Sequence, residues 1–251
     1  MNKMIIFLFT LIFVMSLSSC SEEEVNKVDP PQPVQIVAKS SDTCVVEKGI
    51  DALYSAESPD QNYIFLEWHR NPETKLKGYD IYRSISSDRN FQSIARITTR
   101  NILGIDTSFI DKTVSLNQSY YYFVRAFDDL DQYGDPSDTV NYALIENPVL
   151  SYPVLNISTT TPVFQWSFAS STFPHRFVFR LEKRENELWN DVHTKLCERI
   201  TDYNPEQEWD LPKLGYDTTL SLGTYRWRID SIGNELDQEG SESVWFIFNI
   251  Q

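Results

Sequence analysis

The chain has 251 residues and a formal charge of −14, with 41% hydrophobic and 14% aromatic residues. That apolar content excludes global disorder, and so acidic a surface without a Lys/Arg cluster argues against nucleic acid as a partner. The 13 Tyr, 15 Phe and 6 Trp against 3 Met and 8 Gly favour strands, because aromatic side chains fit a pleated, half-buried surface.

Lys3 precedes an apolar run, Met4 to Met15, in which only Thr10 is polar. A basic start, an apolar core and a small-residue exit make a secretory signal, and the run is shorter than the ~20 residues that cross a bilayer. Its exit, Leu17-Ser18-Ser19-Cys20, resembles the lipobox of bacterial lipoproteins. The resemblance implies that residues 1–19 are removed, and that the Cys20 thiol carries a diacylglycerol (palmitate-type chains) anchoring the chain to a membrane. An ordinary secretory signal with an incidental cysteine is the alternative. The run Ser21-Glu22-Glu23-Glu24 resembles the acidic tag that sends some Bacteroidota lipoproteins to the outer surface of the outer membrane. A solvated charge run, with the chain on the periplasmic face, is the other reading. Residues 20–33 form a tether ending in Pro30-Pro31-Gln32-Pro33, a stiff extended spacer.

The rest of the chain carries one pattern twice. A strand-like run ends at Trp68, and eleven residues later Gly78-Tyr79-Asp80-Ile81-Tyr82-Arg83 begins at Tyr79 a second alternating run. Likewise Val163-Phe164-Gln165-Trp166 is followed, eleven residues after Trp166, by Phe177-Val178-Phe179-Arg180-Leu181. Tyr120 to Ala126 then matches Tyr225 to Ser231, with Tyr, aromatic, β-branched and small residues at alternate positions, the period of two that a half-buried strand requires. Ser137-Asp138-Thr139-Val140 pairs by pattern with Ser241-Glu242-Ser243-Val244.

Trp68, the Gly78–Ser84 stretch and Tyr120 resemble the second, third and sixth strands of fibronectin type III domains. The fold expected is therefore all-β: two tandem fibronectin type III-like (immunoglobulin-like) β-sandwiches after a lipoprotein signal peptide. Residues 34–146 form the first, with an N-terminal extension, and 147–251 the second. The resemblance implies core roles for Trp68, Tyr79, Tyr120, Trp166, Tyr225 and Trp227. Tyr120 and Tyr225 are expected as tyrosine corners whose hydroxyls bond nearby backbone, with Leu116 and Leu222 as apolar neighbours. The second copy is seven residues longer between its Trp and its corner Tyr. There Leu188, Val192, Leu196 and Ile200 recur every four residues, which suits a short helix as well as strands joined by a long loop; sandwich context favours the latter. Residues 34–49 supply either an extra edge strand or a segment lying along the first sandwich.

Catalytic constellations are missing. His69, His175 and His193 show no His-x-x-x-His spacing, there is no Cys-x-x-Cys, no Gly-x-Ser-x-Gly and no Gly-rich phosphate loop, so neither enzyme, metal nor cofactor is expected. Cys44 and Cys197 read as isolated thiols, a disulfide being the alternative. The acidic run Asp128 to Asp135 reads as a solvated turn rather than a calcium loop, since it lacks the ligand spacing of one. Trp189 and Trp209 sit off the repeated core positions and are the candidate ligand-binding residues, for glycan or protein; covering the second sandwich's enlarged edge is the alternative. The expected function is membrane-anchored, non-catalytic binding of glycan or protein. A structural spacer, or an accessory subunit of an outer-membrane assembly, is the other reading.

Overall fold

The computed structural model describes residues 29–55, 62–88, 90–98, 100–101, 104–168, 174, 176–198, 206–233 and 238–251. The signal segment, Cys20 and the acidic run lie outside these residues, as do His175 and Ile200. The described chain is all-β. Its strands are β1 (Asp51–Leu53), β2 (Tyr63–Glu67), β3 (Leu76–Ser84), β4 (Gln92–Ile97), β5 (Arg100–Asn101), β6 (Gly104–Ile105), β7 (Ser108–Asp111), β8 (Ser119–Asp128), β9 (Val140–Leu144) and β10 (Val149–Tyr152). They continue with β11 (Leu155–Ile157), β12 (Phe164–Ser167), β13 (Arg176–Glu185), β14 (Leu188–Glu198), β15 (Glu206–Trp209), β16 (Gly223–Ile232), β17 (Glu239–Glu242) and β18 (Phe246–Ile250).

One arrangement occurs twice. The three-stranded sheet β1-β2-β7 packs on β4-β3-β8-β9, and β10-β12-β15 packs on β14-β13-β16 with β17 and β18 along the far edge of β16. The buried apolar residues form two clusters, one from residues 34–144 and one from 150–250. Strand alternation explains this. In β8, Tyr120, Tyr122, Val124 and Ala126 face inward while Tyr121, Phe123 and Arg125 are half-exposed, and in β16 Tyr225, Trp227 and Ile229 fill the second core. Each fully buried aromatic ring contributes roughly 1.5–3 kcal/mol by leaving water.

The eleven-residue spacing places the same contact in each core. Trp68 meets Tyr79 edge-to-face at 5.3 Å and 67°, and Trp166 meets Phe177 at 5.2 Å and 69°. Both corner tyrosines use their hydroxyls locally, in opposite senses. That of Tyr120 accepts from the Ser115 N–H at 3.0 Å, whereas that of Tyr225 donates to the Ser221 carbonyl at 3.0 Å. Leu116 and Leu222 do not pack there: they are 40% and 65% exposed. A repeat read from residue types also slips by two at the last strand. Four residues past each corner, Val124 and Ile229 donate at 3.0 Å to the hydroxyls of Ser137 and Ser243, so Ser137 corresponds to Ser243, not to Ser241.

Residues 182–198 contain neither a helix nor a long loop. They belong to a β13–β14 hairpin closed by Asn186-Glu187, whose φ of 51° and 66° suit a two-residue type I′ turn. Leu181 pairs with His193 and Glu182 with Asp191, so Val192 is an extra residue. A bulge of this kind shifts the alternation by one, so Leu188 and Leu196, eight residues apart, fall on opposite faces of the hairpin, and the spacing of four marks no helical stripe.

Tyr120→Phe is expected to lower stability by about 1 kcal/mol, since the Ser115 N–H loses its acceptor. Urea unfolding followed by tryptophan fluorescence measures this; an unshifted midpoint would show that the bond makes no net contribution.

Candidate functional site

Of residues 34–49, only a short stretch pairs as an edge strand of the first half, and the rest do not lie along its core. Residues 35–37 pair beside Trp68, with Val37 N–H donating to Glu67 (3.0 Å) and His69 N–H to Gln35 (2.8 Å). The chain then leaves as a loop, pinched where Ser40 N–H meets the Lys48 carbonyl at 3.0 Å, and returns as β1 on the start of β2. The loop lies against the second half. The Arg180 guanidinium donates to the carbonyls of Cys44 (2.8 Å) and Asp42 (2.6 Å) and to the Glu47 carboxylate (2.6 Å).

The second half reaches back in turn. β17 runs parallel to β9, with Ala143 N–H donating to Gln238 (2.9 Å) and Ile145 N–H to Gly240 (3.1 Å). The second half has the same feature internally, where β11 runs parallel to β18. Tyr142 is to Tyr120 as Phe248 is to Tyr225, so β17 covers in the first half the edge that β11 covers in the second. Gly240 permits the approach: a Cβ there would stand 2.5 Å from the Tyr142 hydroxyl and 2.7 Å from the Ser231 carbonyl.

Between these exchanged segments lies a buried ion cluster. Arg228 reaches Glu47 (3.0 Å), Glu242 (2.6 Å) and Asp230 (2.8 Å), and Arg180 pairs with Asp230 as well as Glu47. Glu242 also accepts from Tyr54 N–H at 2.8 Å, and its backbone is bracketed by the Asn62 side chain. Beside the cluster Lys39 spans Asp42 (2.5 Å) and Asp51 (2.9 Å), and the Tyr142 hydroxyl donates to Asp51 at 2.8 Å. Burial, then the neighbouring Asp230, pushes the Glu47 carboxyl up to about 8, with Arg228 opposing. Burial likewise raises Glu242 against the pull of Arg228. The carboxylate oxygens of Glu47, Asp230 and Glu242 lie within 4.8 Å of one another. Two guanidiniums already supply the positive charge there, so the group reads as an ion-pair lock rather than a metal centre.

The cluster continues outward along β16 as a ladder. The Trp189 ring stacks on the Arg226 guanidinium (4.6 Å), which also stacks on Trp245 (4.2 Å), and Trp245 on Arg228 (4.9 Å); Arg226 pairs with Glu182 at 2.6 Å. Trp189, one of the two candidate ligand-binding residues, is therefore half-buried with one face against Arg226. The other, Trp209, is only 6% exposed and lies against Phe177 at 5.1 Å and Trp166 at 6.1 Å. It is not off the repeat. Trp209 pairs with Phe164 as Phe109 pairs with Leu66, so it holds the core position that Phe109 holds in the first half. The structure does not bring Trp189 and Trp209 together as one surface. Sequence reasoning passes over Arg226, Arg228 and Asp230, although they alternate with Tyr225, Trp227 and Ile229 on one strand. Charged residues at three successive outward positions are the signal that could have found them.

The remaining expected features have local roles. His193 meets the Leu214 carbonyl through Nε2 at 2.8 Å, and His69 is exposed beside Trp68. Cys44 and Cys197 are both free thiols. Asp128 accepts from the N–H groups of Leu130 (2.9 Å) and Gln132 (2.8 Å), tying its acidic run into a turn.

A second site is open. A cleft of about 1240 Å³ lies between residues 32–39 and 136–141, with Ile50, His69 to Pro72 and Gln238 completing its lining. Its ionisable residues are Lys39, His69, Arg70 and Asp138 and its hydroxyls those of Ser137 and Thr139; Ser137 Oγ accepts from the Val124 N–H and donates to the Asp138 carbonyl. No family model matches the chain. No curated protein matches it either. Function must therefore be read from these two places in the molecule, the ion-pair lock and the cleft.

Three outcomes are expected. Arg228→Ala leaves Glu47, Asp230 and Glu242 facing one another and costs about 3–5 kcal/mol, read as a lowered denaturation midpoint. Gly240→Ala forces β17 off β9 and costs roughly 1–3 kcal/mol; hydrogen exchange at Ala143 and Ile145 should accelerate, and unchanged exchange would show that the strands separate without consequence. The third concerns pH. Glu47 holds its proton in the folded chain up to about 8, against 4.5 ordinarily, so between these values the folded state binds more protons than the unfolded. Stability should therefore fall as pH rises from about 4.5 through 8. Melting temperatures across that window should decline for the native chain and decline less for Glu47→Gln.

Proposed function

We propose that the chain is a lipid-anchored, non-catalytic surface protein, in which two fibronectin type III-like sandwiches, residues 34–146 and 147–251, are held as one body and present a binding surface for protein or glycan. The observation that carries this reading is the reciprocal exchange at the junction: the loop of residues 39–49 on β13 and β16, and β17 on β9. Three-on-four strand order, the paired Trp–aromatic contacts and the two hydroxyl-bonded corner tyrosines support the fibronectin type III assignment of each half. Lipid attachment at Cys20, the outer-membrane location facing the cell exterior and the leader of residues 1–19 rest on the residues Leu17 to Glu24.

A spacer or accessory-subunit role without a ligand is the second reading. The buried position of Trp209 and the arginine roof over Trp189 favour it, because they remove an open aromatic platform. An open cleft in the first half favours binding, and a protein partner over a glycan, because its walls offer main-chain groups rather than ring faces.

Cys20→Ala should leave the protein unprocessed or soluble, where the native chain fractionates with outer membranes and is reached by protease added to intact cells. Normal membrane recovery of Cys20→Ala would overturn the anchor, and protection of the native chain in intact cells would place it on the periplasmic face.

A further inference from the structure

The cleft of the first half is bounded by two strand edges rather than by side-chain walls. On one side, Val37 N–H and the Gln35 carbonyl are spent on Glu67 and His69. By strand alternation the main-chain groups of Ile36 and Ala38 then point the other way, into the cleft. On the other side, Ala143 and Ile145 direct their N–H groups at Gln238 and Gly240, so Asn141 directs its own to the same edge before β17 begins; the line ends at Thr139, since Ser137 N–H turns back to the Val124 carbonyl. Among the described residues the main-chain groups of Ile36, Ala38 and Thr139 have no hydrogen-bond partner in the chain. Buried Val34 and Ile50 lie beneath.

We infer that this cleft takes an extended peptide segment of a partner protein, added as a strand along the edge of residues 139–141 with aliphatic side chains directed at Val34 and Ile50. The inference deepens the proposed binding role and rests on it. What identifies the occupant is continuity with a contact already made. The same edge, one turn of the pleat further on, receives β17 as a parallel strand, and the matching edge of β18 receives β11. Twice in this molecule that edge is completed by backbone, and among the described residues the cleft is the stretch left without one. A peptide is the ligand whose regularly spaced N–H and C=O groups match such an edge, with alternate side chains supplying selectivity. A sugar offers no such ladder, and the described lining of the cleft includes no Phe, Tyr or Trp ring.

Random twelve-residue peptides displayed on phage, selected on the full chain in detergent, provide the probe. Selected sequences should alternate aliphatic and polar residues. Their synthetic forms should slow amide exchange at Ala38, Thr139 and Asn141. Affinity should fall roughly tenfold or more in Ala38→Trp, which fills the cleft, and in Thr139→Pro, which removes an edge donor, a loss of the order of one to two hydrogen bonds. Melting curves of both variants check that they fold, and either folded variant suffices. Peptides that bind both variants as well as the native chain would overturn the cleft as their site while leaving a binding function in place. If no peptide is selected the inference falls, and if a glycan array is also empty the binding reading falls with it.

Discussion

Two guanidiniums on the outward face of one sheet, Arg180 and Arg228, organise the junction. Charges this deeply covered are tolerated only when paired and hydrogen-bonded on most sides. Their partners come from separate places: Asp230 on β16, Glu242 on β17, and Glu47 with two backbone carbonyls from the loop of residues 39–49. Satisfying the arginines therefore draws a first-half loop across to the second half. The loop does not run beside β9 as β11 runs beside β18, and the edge of β9 is paired by β17 instead.

The junction is thus polar in composition yet tied by an exchange of backbone. A polar interface between sandwiches would ordinarily suggest a hinge. Here strand pairing, the Glu242 bonds to Tyr54 and Asn62, and the loop on Arg180 all have to open together for the halves to move apart. The open cleft arises from the same geometry. β17 covers β9 only from Ala143 onward, and the first-half edge strand turns away after Ala38, so the two departures leave a gap between them.

Much of this fold is legible in residue order, and the parts that are not share a physical cause. Trp68, Trp166, Tyr120 and Tyr225 announce themselves because large aromatics at fixed spacing have one inward arrangement on a strand. The stretch from Leu188 to Leu196 misleads because a spacing of four suits one face of a strand as well as a helix, and the extra residue Val192 then puts Leu188 and Leu196 on opposite faces of the hairpin. Trp209 is hard to place because it is separated from Trp166 by two residues more than Phe109 is from Trp68. Equivalence across a loop of different length shows only in strand pairing. The ion cluster is invisible for a related reason: Glu47, Arg180, Arg228 and Glu242 are far apart in the chain, and nothing local to any of them specifies the others. The cleft is a property of unpaired backbone, on which side-chain identity is silent.

The parallel contact between β9 and β17 has a bearing on how the chain is made. Polypeptides are synthesised from the N-terminus, and sandwiches tend to fold as they emerge. The first half can bury its core as soon as Leu144 is available, but its sheet then waits with an unprotected border until residues 239 and 240 have been added. Throughout that interval the nascent protein presents the kind of edge that recruits foreign strands. That exposure belongs to biogenesis, for in the finished molecule β17 closes the border at Ala143 and Leu144.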